Sequence, residues 1–214
     1  GLWYVLPKLF NYTVNKYGNT LLKDPVYLNK EYTLGTFESL HLNTINSQKE
    51  GSIKNNKFNY HYSLSAWFYI NPQPPNTSSA YTQYTSILNY DNKPNVQYNG
   101  EKNSLRIITS LGTKEVGGTA PEIEIFETTN VLYQKWNHIV INYDGGNMDV
   151  FLNGELVGSK PNIAPYMTYE NVISGHENGI HGGICNVVYY DHTLSNSNIK
   201  LMYKLLRDKE FPTL

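Results

Sequence analysis

The stretch Trp136–Val157 reads W-N-H-I-V-I-N-Y-D-G-G-N-M-D-V-F-L-N-G-E-L-V. Alternate residues of an extended chain face opposite sides, and both sides of Trp136–Tyr143 carry apolar residues. This pattern indicates a central strand between two layers. Asp144–Asn147 can form a tight turn, and Asn153-Gly154 is a strong signal for a two-residue hairpin loop. The stretch therefore predicts three consecutive antiparallel strands.

The composition indicates one globular domain without a strong charge. The chain has 214 residues, of which 40% are hydrophobic, so it is long enough to bury a core. Its formal net charge of −1 gives no long-range attraction to nucleic acid or to anionic membranes. The single cysteine, Cys185, excludes an internal disulfide and is interpreted as a small core residue.

The N-terminal segment differs from the rest of the chain. Residues 1–35 have weak periodicity and scattered prolines, so they are interpreted as an extension or tether, and residues 36–214 as the domain. No apolar run reaches the length of a membrane span. Because the chain begins at Gly1 with the apolar run Leu2–Leu6, it could be a fragment of a longer, membrane-anchored protein. The alternative is an apolar arm that packs on the domain or on a neighbour.

Short strands separated by turn signals fill the domain, which predicts an all-β sandwich. The predicted strands lie at residues 36–42, 62–70, 85–90, 104–110, 122–126, 136–143, 148–153, 171–174 and 183–190. The polar segment 91–103 is predicted as a loop. One helix closes the chain at residues 196–207, with Ser195 as its N-cap and an apolar stripe on one face. The stripe consists of Ile199, Met202, Leu205 and Leu206.

Three motifs in order resemble the laminin-G-like branch of the concanavalin A-like lectin/glucanase superfamily. They are Ser63-Leu-Ser-Ala-Trp67, Trp136-Asn-His138 followed by Asn153-Gly154, and Gly183–Asp191 followed by Leu194-Ser195. The resemblance covers roughly residues 36–208 and implies a jelly-roll sandwich of two antiparallel sheets with one short C-terminal helix. Family members often carry an acidic pair where this chain has Cys185-Asn186. Acidic or metal-binding roles therefore do not transfer to that segment.

A glucanase motif is partly matched by Glu122-Ile-Glu124-Ile-Phe-Glu127. The resemblance would make Glu122 the nucleophile and Glu127 the general acid. However, Glu124 stands where those enzymes have aspartate, and its longer side chain would crowd the three carboxylates. A half-exposed strand also gives this alternation, with Ile123 and Ile125 inward and Glu122 and Glu124 in water. No catalytic residue is therefore assigned.

The candidate metal ligands of this chain also have an ordinary structural explanation. His176 and His181 lie in a glycine-rich segment that is interpreted as a rim loop. Related modules bind calcium at the sandwich rim, but each candidate ligand here is also an ordinary turn residue. The candidates are Asp91, Asn92, Asp144 and Asn178. No metal or cofactor is assigned, with calcium as the alternative.

Aromatic rings beside amide groups, the combination that binds sugars, are concentrated in residues 81–102. The ligand-binding candidates there are Tyr81, Tyr84, Asn89, Tyr90 and Asn92.

The preferred functional interpretation is a non-catalytic structural or adhesion module that contacts other proteins. The alternative is a carbohydrate-binding, lectin-like domain, with or without calcium, and a glucanase is the third interpretation. The composition, rich in Asn, Tyr, Lys and Ile and without disulfides, resembles that of proteins of large DNA viruses. This resemblance implies a virion location and capsid or membrane-associated partners. The lectin alternative adds a glycan as a candidate partner, and the net charge of −1 predicts no nucleic acid.

Overall fold

The computed structural model describes residues 18–40, 58–75, 79–112, 121–165, 167 and 171–207. Within these residues lie thirteen strands and three helices. In chain order the strands are β1 Gly18–Leu22, β2 Val26–Tyr27, β3 Tyr32–Gly35, β4 His61–Ile70, β5 Thr85–Tyr90, β6 Asn95–Asn99, β7 Ser104–Ser110, β8 Glu122–Thr128, β9 Trp136–Asp144, β10 Asn147–Leu152, β11 Glu155–Pro161, β12 Val172–Ser174 and β13 Gly182–Tyr190. The helices are α1 Phe37–Leu40, α2 Ser79–Thr82 and α3 Asn196–Leu206.

The strands form two antiparallel sheets. The back sheet has the order β1-β13-β4-β9-β10-β11, with β2 paired to β13, and the front sheet has the order β3-β12-β5-β6-β7-β8. Neighbours in space are often distant in sequence, as in the pairing of β13 with β4 and of β12 with β5. This arrangement confirms the predicted all-β, two-sheet jelly-roll sandwich with one short C-terminal helix.

The core lies between the two sheets and comes from alternate positions of their strands. A strand points successive side chains to opposite faces, so only every second residue reaches the core. The buried set includes Leu64, Phe68, Ile139 and Ile141 from the back sheet and Val96, Leu105 and Ile107 from the front sheet. Each such side chain contributes about 1.5–3 kcal/mol when fully buried.

The stretch Trp136–Val157 forms the central and edge strands of the back sheet. β9 pairs with β4 on one side and with β10 on the other, so it is a central strand as predicted. Gly145 and Gly146 have φ values of +51° and +121°, and Asn153 and Gly154 have +52° and +82°. Both predicted turns are therefore confirmed, since left-handed backbone favours glycine and asparagine.

Helix α3 covers the outer face of the back sheet. Ser195 caps it by accepting a hydrogen bond from the Asn198 amide at 3.2 Å, as predicted. Its buried face packs in one cluster on β9, β10 and β13 and in a second on Trp67 and Cys185. Cys185 is 1% exposed, which confirms that it is a core residue.

A buried polar network fixes the chain where it enters α3. The Ser63 hydroxyl donates to Asn142 Oδ1 at 2.6 Å and accepts from the Leu194 amide at 2.9 Å. Asn142 Nδ2 donates to the Leu194 carbonyl at 2.8 Å. The network ties β4 and β9 to the turn before α3 and gives these buried polar groups the partners that they require away from water.

Two predicted segments differ from the structure. The strand predicted at residues 36–42 is wrong, because Phe37–Leu40 is helix α1 and residues 41 and 42 lie outside the described part. Thr36 and Ser39 cap this turn reciprocally: the Thr36 amide donates to Ser39 Oγ at 2.9 Å, and the Ser39 amide donates to Thr36 Oγ1 at 3.3 Å. The loop predicted at residues 91–103 is also wrong, because it contains strand β6, whose Val96 and Tyr98 enter the core.

Part of the N-terminal segment belongs to the sheets. β1 and β2 pair with β13, and β3 pairs with β12, so these strands of residues 18–35 are built into the sandwich. Residues 1–17 lie outside the described part of the chain. The tethering role of residues 1–35 stays a prediction.

None of the helices in the described residues combines the length and the apolarity that a membrane crossing requires.

Candidate functional site

The outer face of the front sheet carries a row of polar side chains across four neighbouring strands. The strand register pairs Ser86 with Gln97, Gln97 with Arg106, and Arg106 with Glu127. Alternate residues of β6 and β7 fill the core, so these four side chains face away from it. We call Ser86, Gln97, Arg106 and Glu127 the polar row. Its side chains are half-buried or, for Glu127, exposed.

Arg106 is held in place by two contacts. Its Cζ atom lies 3.8 Å from the centroid of the Tyr84 ring, which precedes β5. Its Nε donates a hydrogen bond to Gln97 Oε1 at 2.8 Å. The Lys102 ammonium lies 5.5 Å from the same Tyr84 centroid. Cation–π contacts of this kind contribute about 0.5–2 kcal/mol, so the Tyr84 ring helps to hold the guanidinium in place.

Glu127 completes the site as an ionised acceptor. Its Oε1 accepts a hydrogen bond from Ser104 Oγ at 2.6 Å and a second from the Tyr84 hydroxyl. These two bonds lower the pKa of Glu127, with the Ser104 bond as the larger cause. Burial, followed by the bond to Glu127, raises the pKa of Tyr84. The carboxylate therefore stays charged and the phenol stays protonated at neutral pH.

A β-bulge in β8 brings the glucanase-like glutamates to one face. Ile107 pairs with Phe126 and Ile108 pairs with Glu124, so Ile125 is the extra, buried residue. Glu122 and Glu124 are exposed, as predicted. The lowered pKa of Glu127 is opposite to the raised pKa that a general acid requires. This difference argues against the role that the glucanase interpretation gives to Glu127.

The structure does not bring all five predicted ligand-binding residues together at one site. Tyr84 adjoins the polar row, and Asn89 faces outward opposite Asn95. Tyr81 is half-buried in α2. Asn92 lies in the turn after β5 with a φ of +56°, and its amide donates to Asn89 Oδ1 at 2.7 Å.

Tyr90 is the candidate that the fold removes from the surface. It is 1% exposed and packs edge-on against Tyr62, with ring centroids 5.8 Å apart. Burial raises its pKa to about 12. Tyr90 is therefore a core residue, and a ligand on the surface cannot contact its ring.

Most of the side chains that define the site were not predicted from the sequence. Gln97, Lys102, Ser104 and Arg106 were not among the candidate ligand-binding residues. One signal was present, because Arg106 is the only charged residue in the strand S-L-R-I-I-T-S. Its neighbours could not be inferred, since they depend on the unpredicted strand β6 and on the bulge in β8.

The candidate calcium ligands have partners within the fold or occupy turn positions. Among the described residues, no group of three or more His, Cys, Asp or Glu side chains is placed to hold a metal ion. Asp144 Oδ1 lies 2.6 Å from His61 Nδ1, and Asp91 Oδ2 lies 3.5 Å from the Lys93 ammonium. Asn178 is a turn residue with a φ of +55°.

The histidines of the rim loop are both exposed, and His176 Nδ1 contacts the Glu177 carbonyl at 2.8 Å.

Comparison of the sequence with known families gives one match over most of the chain. The Laminin_G_3 family model, described as the concanavalin A-like lectin/glucanases superfamily, matches residues 46–200. No curated protein was found to match the sequence.

Several solved structures share the fold at low sequence identity. The receptor-binding domain of the botulinum neurotoxin C/D mosaic serotype is 16% identical, with a TM-score of 0.56 over 87% of this chain and 43% of that one. The binding domain of botulinum neurotoxin serotype D is 16% identical, with a TM-score of 0.52 over 72% and 38%. The binding domain of Paraclostridial Mosquitocidal Protein 1 is 16% identical, with a TM-score of 0.51 over 70% and 39%. The chain thus spans about two fifths of the length of these structures.

Proposed function

The chain belongs to the concanavalin A-like lectin/glucanases superfamily, and we propose that it is a non-catalytic adhesion module that binds a partner protein through the outer face of its front sheet. The observation that carries this proposal is the difference between the two outer faces. Helix α3 covers the back sheet with apolar contacts, whereas the front sheet presents the polar row. The names of the structural neighbours, which are binding domains, support a binding role in general terms.

The chemistry of the front face suits recognition better than hydrolysis. The polar row offers amide, guanidinium and carboxylate groups, whose hydrogen bonds fix the orientation of a partner. An aromatic ring and an arginine at its centre are the residue types that most often dominate binding energy. Glu127, in contrast, is stabilised in its ionised form, so it is a poor proton donor.

A lectin remains the second candidate, because amides and a carboxylate beside an aromatic ring also suit sugars. The position of Arg106 favours the protein partner. Its guanidinium carbon already lies over the Tyr84 ring, 3.8 Å from the centroid, so that ring face is not open as a platform for a sugar.

We extend the proposal to location: the module is a virion-surface protein, and the part of residues 1–35 that precedes β1 is its tether. The support is the composition, rich in Asn, Tyr, Lys and Ile. Detection of the chain by mass spectrometry in purified particles of a virus that encodes it would test this location. Its absence from such particles would contradict it.

The binding face can be tested with a matched pair of substitutions. Ser86→Trp places a bulky ring in the polar row, and Leu201→Trp places the same ring on the exposed side of α3, where Leu201 is 40% exposed. The labelled wild-type chain is first applied to protein and glycan arrays to obtain a saturable ligand. We expect Ser86→Trp to weaken binding of a protein ligand by about tenfold or more, and Leu201→Trp to leave it unchanged.

The other outcomes discriminate among the functions. A glycan ligand that is lost with Ser86→Trp would favour the lectin. Equal effects of both substitutions, or loss with Leu201→Trp alone, would contradict the assigned face. Release of reducing sugar from β-glucans by the wild-type chain, abolished by Glu122→Gln, would contradict the non-catalytic assignment.

A further inference from the structure

We propose that Arg106 anchors the carboxylate of an aspartate or glutamate side chain on the partner protein. This inference rests on the proposed function, because it assigns a chemistry to the same face.

The first argument is that Arg106 is fixed before any partner arrives. Its Nε donates a hydrogen bond to Gln97 on β6, and its Cζ lies over the Tyr84 ring. The ring is itself fixed, because the Tyr84 hydroxyl donates to Glu127, which also accepts from Ser104. A guanidinium held in this way loses little conformational entropy when it binds a ligand.

The second argument is that the outer donors of Arg106 are unused. Its Nη nitrogens form no hydrogen bond and no ion pair with any residue that the structure describes. Glu127 pairs with Arg106 in the strand register and interacts with it electrostatically, but its Oε1 accepts from Ser104 and Tyr84, and it forms no ion pair with the guanidinium among the described residues. The free edge of a guanidinium matches the two oxygens of a carboxylate, and the paired contact is short and charge-assisted.

The third argument concerns charge. The guanidinium of Arg106 and the ammonium of Lys102 both lie near the Tyr84 ring, at 3.8 Å and 5.5 Å from its centroid, and both are positive. The ionised Glu127 leaves this part of the face with one net positive charge. One carboxylate balances that charge, whereas a doubly charged phosphate would leave an excess negative charge beside Glu127.

The position of the other carboxylates gives the face a direction. Glu124 and Glu122 lie opposite Ile108 and Ser110, toward the far end of β7, and Lys102 precedes the near end. The near end of this face thus has a net positive charge, whereas Glu122 and Glu124 lie at the far end, where the Lys160 ammonium is 3.0 Å from the Glu124 carbonyl. An acidic side chain of a partner is attracted to the Lys102 and Arg106 end, which orients the partner along β7.

The experiment follows the Nε–Hε resonance of Arg106 by nuclear magnetic resonance in the ¹⁵N-labelled chain. The probes are acetyl-Gly-Glu-Gly-amide and the matched acetyl-Gly-Gln-Gly-amide, at constant ionic strength. We expect a saturable shift with the glutamate peptide alone. Arg106→Lys keeps the positive charge but removes the paired N–H donors of the guanidinium. This variant should bind the glutamate peptide about threefold or more weakly, as measured from the backbone amide resonances of β7. Lys200→Ala on α3 removes a charge from the other side and should change nothing.

A second variant keeps the test valid if Arg106→Lys fails to fold. Gln97→Ala leaves the net charge unchanged and releases Nε, so it should weaken binding by about twofold or more. The absence of a saturable shift, or equal shifts with both peptides, would overturn the proposal.

Methyl glucuronide and methyl glucoside provide the sugar arm of the experiment. Saturation by the glucuronide at about tenfold lower concentration than by the glutamate peptide would overturn the assignment to a protein side chain. Failure of both probes, with binding to the array ligand still lost in Ser86→Trp, would refute the Arg106 anchor and leave the proposed function standing.

Discussion

At the scale of the residue, His138 is the side chain whose chemistry the fold changes most clearly. Its ring is 1% exposed and stacks on Trp67, with centroids 4.7 Å apart, beneath Tyr203 of α3. Nε2 lies 3.0 Å from Ser65 Oγ, whereas Nδ1 has no hydrogen-bond partner within the described chain. Burial lowers the pKa of His138 from 6.5 to about 3, so the ring is neutral in the folded protein at ordinary pH.

This shift predicts a loss of stability in acid. Below pH 6.5 the unfolded chain binds a proton at His138 that the folded chain excludes until about pH 3. The contribution of the neutral His138 to the free energy of unfolding is therefore fully present above pH 6.5 and is lost progressively as the pH falls toward about 3. By linkage the loss at a pH of about 4.5 is about 3 kcal/mol.

Urea unfolding at a series of pH values would measure this loss, with His138→Phe as the variant that cannot titrate. We expect the stability advantage of the wild type over the variant to shrink steadily below pH 6.5. The other titrating groups are common to both chains, so they cancel in the difference. Parallel curves for the two proteins would show that His138 is not the group responsible.

At the scale of the element, the hairpin between β10 and β11 also supports α3. Asn153 accepts a hydrogen bond from the His138 amide on Oδ1 at 2.9 Å, which ties the turn to β9. The next residue, Gly154, lies directly under Tyr203: a Cβ atom at Gly154 would be 3.0 Å from the ring atom Cδ1. The turn that the sequence marks most clearly is thus also a packing surface for the C-terminal helix.

Gly154→Ala should therefore lower the free energy of unfolding by more than the backbone strain in the turn alone would cause. The matched control is Gly112→Ala, because Gly112 has a φ of +68°, close to the +82° of Gly154, but a Cβ atom there would meet no described neighbour within 4 Å. Left-handed strain costs about 1–2 kcal/mol in both variants. The contact with Tyr203 should add about 1 kcal/mol or more in Gly154→Ala. Chemical denaturation of both variants measures the difference, and equal losses would mean that Tyr203 moves aside freely.

At the scale of the whole molecule, the residues that reveal the fold are not those of the proposed binding face. Ser63, Trp67, His138 and Leu194 carry the family motifs, and all four lie between the back sheet and α3. Their patterns predicted the sandwich, the central strand and the closing helix, because burial and capping leave periodic signals in sequence.

The residues of the candidate site on the front sheet carry no such periodic or capping signals in the sequence. β6 reads N-V-Q-Y-N, too short and too polar to be separated from a loop, and it supplies Gln97. The bulge at Ile125, which aligns Glu127 with Arg106, is set by pairing with β7 and not by the local sequence of β8. Tyr84 and Asn89 were predicted, but their neighbours required the sheet register.

The burial of Cys185 beneath α3 has a practical consequence for the whole molecule. The thiol contacts Trp67 and Leu206, and burial raises its pKa to about 12, so it is unreactive while the helix is docked. A thiol reagent can therefore modify the chain only when α3 lifts or the protein unfolds. Since Cys185 is the only cysteine, each labelled molecule records one such event.

The rate of Cys185 labelling thus measures how often α3 detaches from the back sheet. Met202→Ala removes a buried contact of α3 and should speed labelling about tenfold or more, since such truncations cost about 2–5 kcal/mol. Leu132→Ala, at a position 40% exposed, should leave the rate unchanged. Equal rates in the two variants would mean that the thiol is reached by a route other than the helix. A partner that binds the front face does not contact Cys185. Binding at the front sheet and detachment of α3 from the back sheet can therefore be measured in the same sample.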